Sequence, residues 1–269
     1  MLKYCLNTIS VLCIFCCVAR QSLAVDIQTM TILNRNDGSA FGHSFSKLSL
    51  NSFVEYGYSK KTSFGSTFQL LDINSEYQNR NKGYALTNPE LFTRYKVYAG
   101  KKTSIIMQNS FKFGGLYNEN KNLALMPRQY DYEFRILVPY NFKDRLVNQI
   151  VHRASSHFIR VELAYRQRFE NPFNEVRFAL LASHVINDKL SILFQDNINW
   201  QIQSKPLAKS NTYDNFKITN VANDILSLSA LYSYNPRTAL QLGFAKRIAG
   251  NAPFYDARGI FVGLWHATT

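Results

Sequence analysis

The chain has 269 residues, a formal net charge of +13, 46% hydrophobic and 14% aromatic residues. That is too much apolar side chain for a disordered protein, and enough length for one large domain or two small ones. All four cysteines, Cys5, Cys13, Cys16 and Cys17, fall in the first 17 residues, which excludes a disulfide framework, a cysteine zinc or iron-sulfur site and a cysteine nucleophile from the rest.

Residues 1–24 have the form of a secretory signal peptide. Lys3 supplies a positive start, an apolar run centred on Val11 to Val18 follows, and Ser22-Leu23-Ala24 offers small residues at −3 and −1, predicting cleavage before Val25. Asn7, Thr8 and Ser10 interrupt the run, which is short for a membrane helix of about 20 residues. Cleavage removes Lys3 and Arg20 but no acid, so the mature domain, 25–269, keeps its positive excess.

Along the mature chain the dominant pattern is period-two alternation, the signature of strands with one apolar and one polar face. In 47–58, Leu48, Leu50, Val54, Tyr56 and Tyr58 hold one face while Lys47, Ser49, Asn51, Glu55 and Gly57 hold the other. In 130–140, Tyr132, Phe134, Ile136 and Val138 alternate with Asp131, Glu133 and Arg135. In 158–168, Ile159, Val161, Leu163 and Tyr165 oppose Arg160, Glu162, Ala164, Arg166 and Arg168. Strands are predicted at 26–34, 45–58, 62–73, 89–99, 102–113, 130–140, 157–168, 175–185, 189–200, 223–234, 238–249 and 258–267.

Tight turns follow at Ser59-Lys60-Lys61, Gly100-Lys101, Ile186-Asn187-Asp188 and Asn235-Pro236-Arg237. Longer polar connections are expected at 35–44, 74–88, 114–129, 201–222 and 250–257, with a short one at 169–174. The segment 141–156 carries Leu146, Val147, Ile150 and Val151 at the spacing of a short amphipathic helix.

Short turns alternating with long loops describe an all-β, up-and-down antiparallel transmembrane β-barrel of about 12 strands, with short periplasmic turns and long external loops. Counting back from a descending 258–267 makes 26–34 the ascending first strand, although it alternates poorly. Predicted strands of about 9 to 12 residues suit a tilted membrane crossing and exceed the usual ~5 to 6 of globular sheets. Tyr56, Tyr58, Tyr140, Tyr165, Trp200, Tyr232 and Tyr234 sit near strand ends, as interfacial aromatics do. The competing architecture is a soluble secreted β-sandwich or barrel acting as a binding protein.

In Leu50-Asn51-Ser52-Phe53-Val54-Glu55-Tyr56-Gly57-Tyr58 with Thr62-Ser63-Phe64-Gly65, in Asn88-Pro89-Glu90-Leu91-Phe92-Thr93-Arg94-Tyr95, in Phe158-Ile159-Arg160-Val161-Glu162-Leu163-Ala164-Tyr165-Arg166 and in the last hairpin, the sequence resembles the XagA-like family of proteobacterial outer-membrane barrels. The resemblance implies a location in the outer membrane of a Gram-negative bacterium and supplies no catalytic residues. The ending Leu264-Trp265-His266-Ala267-Thr268-Thr269 departs from the terminal aromatic that outer-membrane assembly machinery commonly reads, although Ile260, Val262 and Leu264 keep the alternation.

Catalytic chemistry has one candidate, His43-Ser44-Phe45-Ser46 near the first external loop, where His43 and Ser44 could serve an outer-leaflet lipid hydrolase with Asn51 or Glu55 as third group. His152 and His157 flank Ser155 and Ser156 on the periplasmic side, away from outer-leaflet substrate, and His184 and His266 fall on lipid-facing positions. Five scattered histidines give no metal spacing, so neither metal nor cofactor is expected. Basic residues interspersed with acids do not form a nucleic-acid patch.

The inner face of the expected barrel carries Lys47, Arg94, Lys96, Lys112, Arg135, Arg160, Arg166, Arg168, Arg177 and Arg247 against Glu55, Glu90, Asp131, Glu133, Glu162 and Glu175. Two readings follow: an ion-paired wall filling a narrow barrel, or an anion-preferring channel whose excess of cations attracts small anionic solutes. Lys60, Lys61, Lys101 and Lys102 fall at periplasmic turns, while Arg80, Lys82, Lys121, Lys205 and Lys209 fall in external loops, facing outer-membrane lipid and lipopolysaccharide.

Overall fold

A computed structural model describes residues 26–40, 43–75, 81–114, 116–117, 130–142, 157–169, 173–203, 222–250 and 254–268. The signal peptide, the proposed helix at Leu146 to Val151, and His152, Ser155, Ser156, Arg80, Lys121, Lys205 and Lys209 lie outside these residues.

The described chain is all β: β1 (Asp26–Ala40), β2 (His43–Gly57), β3 (Thr62–Ser75), β4 (Asn81–Ala99), β5 (Ser104–Lys112), β6 (Leu116–Tyr117), β7 (Asp131–Asn141), β8 (Phe158–Arg168), β9 (Phe173–Val185), β10 (Leu190–Gln203), β11 (Ala222–Asn235), β12 (Thr238–Gly250) and β13 (Phe254–Ala267). The two residues of β6 prolong the β4–β5 hairpin, pairing with Ala85 and Leu86 of β4. The other twelve strands form a closed antiparallel barrel, since β3 pairs with β4 and β1 pairs with β13. Closure leaves no unpaired sheet edge, which is what a strand structure needs inside hydrocarbon.

Weakly patterned β1 is fully integrated. Its residues pair from Asp26 to Ala40 with β2 and from Gln28 to Ala40 with β13. Thr268 clamps the seam, its hydroxyl accepting from the Ile27 amide at 3.0 Å and its own amide donating to the Ile27 carbonyl at 3.0 Å.

Three of the short turns share one device, and the fourth is closed by the Gly100 amide donating to the Thr103 carbonyl at 2.9 Å. Ser59 Oγ accepts from the amides of Lys61 and Thr62, Asn187 Oδ1 from Lys189 and Leu190, and Asn235 Oδ1 from Arg237 and Thr238, at 2.8–3.2 Å. Each cap satisfies amides that a tight reversal removes from the ladder, which is why Ser and Asn stand there.

Three long connections predicted from polarity are shorter in the structure. β1 and β2 continue to Ala40 and from His43, β4 already begins at Asn81, and β12 and β13 run to Gly250 and from Phe254. Polar composition at 35–44, 74–88 and 250–257 therefore marks hairpins extended past the apolar band, where paired backbone needs no apolar face. Lys82, expected in a loop, lies on β4, its side chain outside the described ones.

Alternation sets the two surfaces of the wall. Leu91, Val138, Leu163, Leu228, Leu240, Leu242, Ile260 and Leu264 are exposed, while Glu90, Leu137, Glu162, Ser229 and Gln241 on the same strands are buried. Large exposed aliphatics in a ring around a closed barrel form the face that meets lipid, and the buried polar residues face the lumen.

Candidate functional site: the lumen

Antiparallel register brings the lumen charges into rows. Gln108 of β5 stands opposite Arg94 and Arg135, Ser110 opposite Phe92 and Glu133, and Lys112 opposite Glu90 and Asp131. On β8, Arg168, Arg166, Ala164, Glu162 and Arg160 oppose Asp131, Glu133, Arg135, Leu137 and Pro139 of β7. On β9, Glu175, Arg177, Ala179 and Leu181 oppose Arg166, Ala164, Glu162 and Arg160. The thirteen charged residues named from the sequence on β4 to β9 share one face of the sheet by this register.

The nine on β7 to β9 form one connected network, and Arg94 of β4 forms a separate group with Glu55 and Gln108. Glu133 receives Arg135 in a short contact, Arg166 at 2.6 Å and Arg177 at 3.2 Å. Glu175 joins Arg166 at 3.6 Å, Arg177 at 3.7 Å and, closely, Arg168. Glu162 takes Arg135 and Arg160, both at 2.7 Å, and Asp131 lies 3.8 Å from Arg166. Arg94 bonds Glu55 at 2.5 Å and Gln108 at 2.7 Å, with its guanidinium 4.7 Å above the Phe92 ring and 5.6 Å from that of Phe53. Each carboxylate shared by several guanidiniums recovers the cost of leaving water only because all its partners are in place.

Depth among these charges is unequal. The carboxylate side chains are 2–12% exposed, whereas those of Arg94, Arg135, Arg160, Arg168 and Arg177 are 15–29% exposed. Arg166, 5% exposed, is as deep as the acids, and the other five guanidiniums are the more exposed groups, so the charge that reaches the lumen is mainly cationic.

Across the barrel the inner face is neutral. β10 contributes Gln195, Asn197, Asn199 and Gln201, β11 Ser227 and Ser229, and β12 Gln241 and Gly243. Arg247 is the cation here, and its Nε donates to the Ala249 carbonyl at 3.5 Å. Two glycines on the inner face accept an aromatic ring. A Cβ at Gly65 would collide with Phe92, and one at Gly243 with Phe261, each ring belonging to the residue directly opposite.

Towards the short-turn end the inner face becomes apolar. Leu181, Leu193, Leu231 and Ala239 are buried there, with Phe158 and Trp265 packed over them. Trp265 Nε1 donates to Gln241 at 2.9 Å, and Gln241 donates to Ser229 at 2.8 Å, which holds the indole across the lumen side of the leucines. An inward leucine on a hollow barrel is buried only when another side chain covers it, so this layer narrows the passage. Alternation alone placed these residues on the inner face without signalling that they share one height.

His43 and Ser44 open β2 at its long-loop end, and their side chains lie outside the described ones. The rings of His157 and His184 are 4.8 Å apart at the short-turn end. Among the described residues no three metal-ligating side chains converge.

This is the architecture of outer-membrane β-barrels. The chain is similar over 91% of its length to 95% of an outer-membrane channel from Pseudomonas putida F1, with a TM-score of 0.60 and 9% identity. It is similar over 88% of its length to 98% of the NanC porin, with a TM-score of 0.53 and 10% identity. No protein-family model and no curated protein matches the sequence. At such identity the likeness is one of fold, because this barrel carries many activities.

Proposed function

We propose that the protein is a passive, narrow, anion-preferring channel of a bacterial outer membrane, reached after signal-peptide-dependent export. The observation that carries this reading is the unequal depth of the lumen charges: the paired carboxylates are 2–12% exposed and five of the six guanidiniums that pair with them 15–29%. A solute there meets fixed cations facing neutral amides, an arrangement that attracts small anions and repels cations at close range. Exposed apolar residues around the wall support a membrane setting.

The test is conductance of the refolded chain in planar bilayers under a salt gradient. The expected reversal potential has the sign of anion preference and moves towards zero in Arg177→Gln, which removes the most exposed guanidinium of the network. A cation-selective or absent conductance overturns the channel and leaves the ion pairs as a structural wall.

A further inference from the structure

The outer surface carries a polar feature that a passive channel does not need. Lys246 of β12 and Arg258 of β13 stand directly opposite each other on the lipid-facing side, both exposed. Like charges in that position have Cβ atoms about 4.5–5.5 Å apart and destabilise a sheet unless something neutralises them. The acid in register with Arg258 is Asp37 of β1, and its carboxylate is engaged by Arg35 at 3.4 Å.

Position along the strands is equally telling. Between the short-turn rim and the basic pair, the same two strands present the outward pairs Leu240–Leu264, Leu242–Val262 and Phe244–Ile260, all well exposed. From Thr238–His266 to Lys246–Arg258 the strands rise about 27 Å along their own direction, or about 20 Å along the barrel axis at a tilt of about 40°. That is close to the ~25 Å apolar band of such barrels, so the cations emerge where hydrocarbon gives way to headgroups. Beyond Lys246 on β12 one further outward aliphatic, Ile248, is exposed, and the row of the basic pair continues through Leu226 of β11 to Asp196 of β10.

We propose that Lys246 and Arg258, with Arg35 beside them, bind the phosphate of an anionic lipid in the outer leaflet, its acyl chains lying along Phe244, Ile260, Leu242 and Val262. A phosphate between the ammonium and the guanidinium accepts hydrogen bonds from both and removes their mutual repulsion. The proposal rests on the membrane-barrel reading and is independent of whether the lumen conducts.

The experiment uses the full mature chain folded in neutral detergent, with lipid binding read by native mass spectrometry. The probe is bis-phosphorylated lipid A, compared with phosphatidylethanolamine and with inorganic phosphate. Lipid A is expected to bind the wild type about thirtyfold more tightly than Lys246→Gln/Arg258→Gln, for two cations at a membrane surface. The charge-conserving pair Lys246→Arg/Arg258→Lys should keep most of that affinity, and Lys101→Gln/Lys102→Gln at the opposite rim should leave it unchanged. Equal loss in the rim variant, equal binding of phosphatidylethanolamine, or displacement by equimolar inorganic phosphate would overturn the lipid site. Failure of the membrane reading shows separately, as a chain that stays soluble without detergent and runs identically on gels boiled and unboiled.

Discussion

The two halves of the lumen solve one problem by opposite means. The wall from β4 to β9 fills its side with long charged chains whose ends meet, whereas β10 to β13 use short amides, hydroxyls and glycines that leave room for Phe261 and Trp265 to lie flat. A wall of shared ion pairs is cooperative: each acid is buried on the condition that its arginines remain. A wall of neutral groups is additive, because each hydrogen bond contributes only its own small amount. The halves should therefore answer substitution differently.

The largest effect is expected at Glu133, which is 2% exposed and holds three guanidiniums. Glu133→Gln should cost about 3–5 kcal/mol, measured as a lower urea midpoint for the folded barrel in detergent. Asn197→Ala on the facing wall should stay within about 1 kcal/mol, and an equal loss at both positions would erase the distinction. Gly65→Ala and Gly243→Ala come next. In each case the new methyl displaces the opposing ring, costing about 1–3 kcal/mol, and both should reduce the heat-modifiable fraction after refolding. Gly243 should suffer less if Phe261 can swing into the roomier neutral side.

Trp265→Ala removes the indole covering the apolar layer and should raise unitary conductance about twofold while leaving the sign of selectivity unchanged, because the arginines stay in place. An unchanged conductance would locate the narrowest point elsewhere. Ser229→Ala, which deletes one acceptor from Gln241, should cost only about 0.5–1.5 kcal/mol, read in the same urea titration.

Much of this molecule was legible in its residues. Alternation in 47–58, 130–140 and 158–168 assigned the right residues to each face because a strand's side-chain period is two wherever the sheet goes. The turn residues Ser59, Asn187 and Asn235 announced their reversals for a local reason, a side-chain oxygen within reach of its own backbone. The same local rule misread 35–44, 74–88 and 250–257, since strands beyond the apolar band are held by ladder bonds that composition does not encode. β1 shows the converse: Asp26 to Asn34 alternates poorly, yet pairing with both neighbours makes it the strand that closes the barrel.

By itself, then, the sequence determined the strand class, the inner and outer residues and the presence of a charged lumen, all of which follow from local periodicity and short-range turn chemistry. Only the tertiary structure decided that Glu133 serves three arginines, that the carboxylates are more deeply buried than five of the six guanidiniums, that Leu181, Leu193, Leu231 and Ala239 form one layer, and that Lys246 faces Arg258. Each of those depends on register between strands up to 241 residues apart in the chain, as in the Ile27–Thr268 clamp. Register is set by the closure of the whole barrel, a condition that no single segment contains.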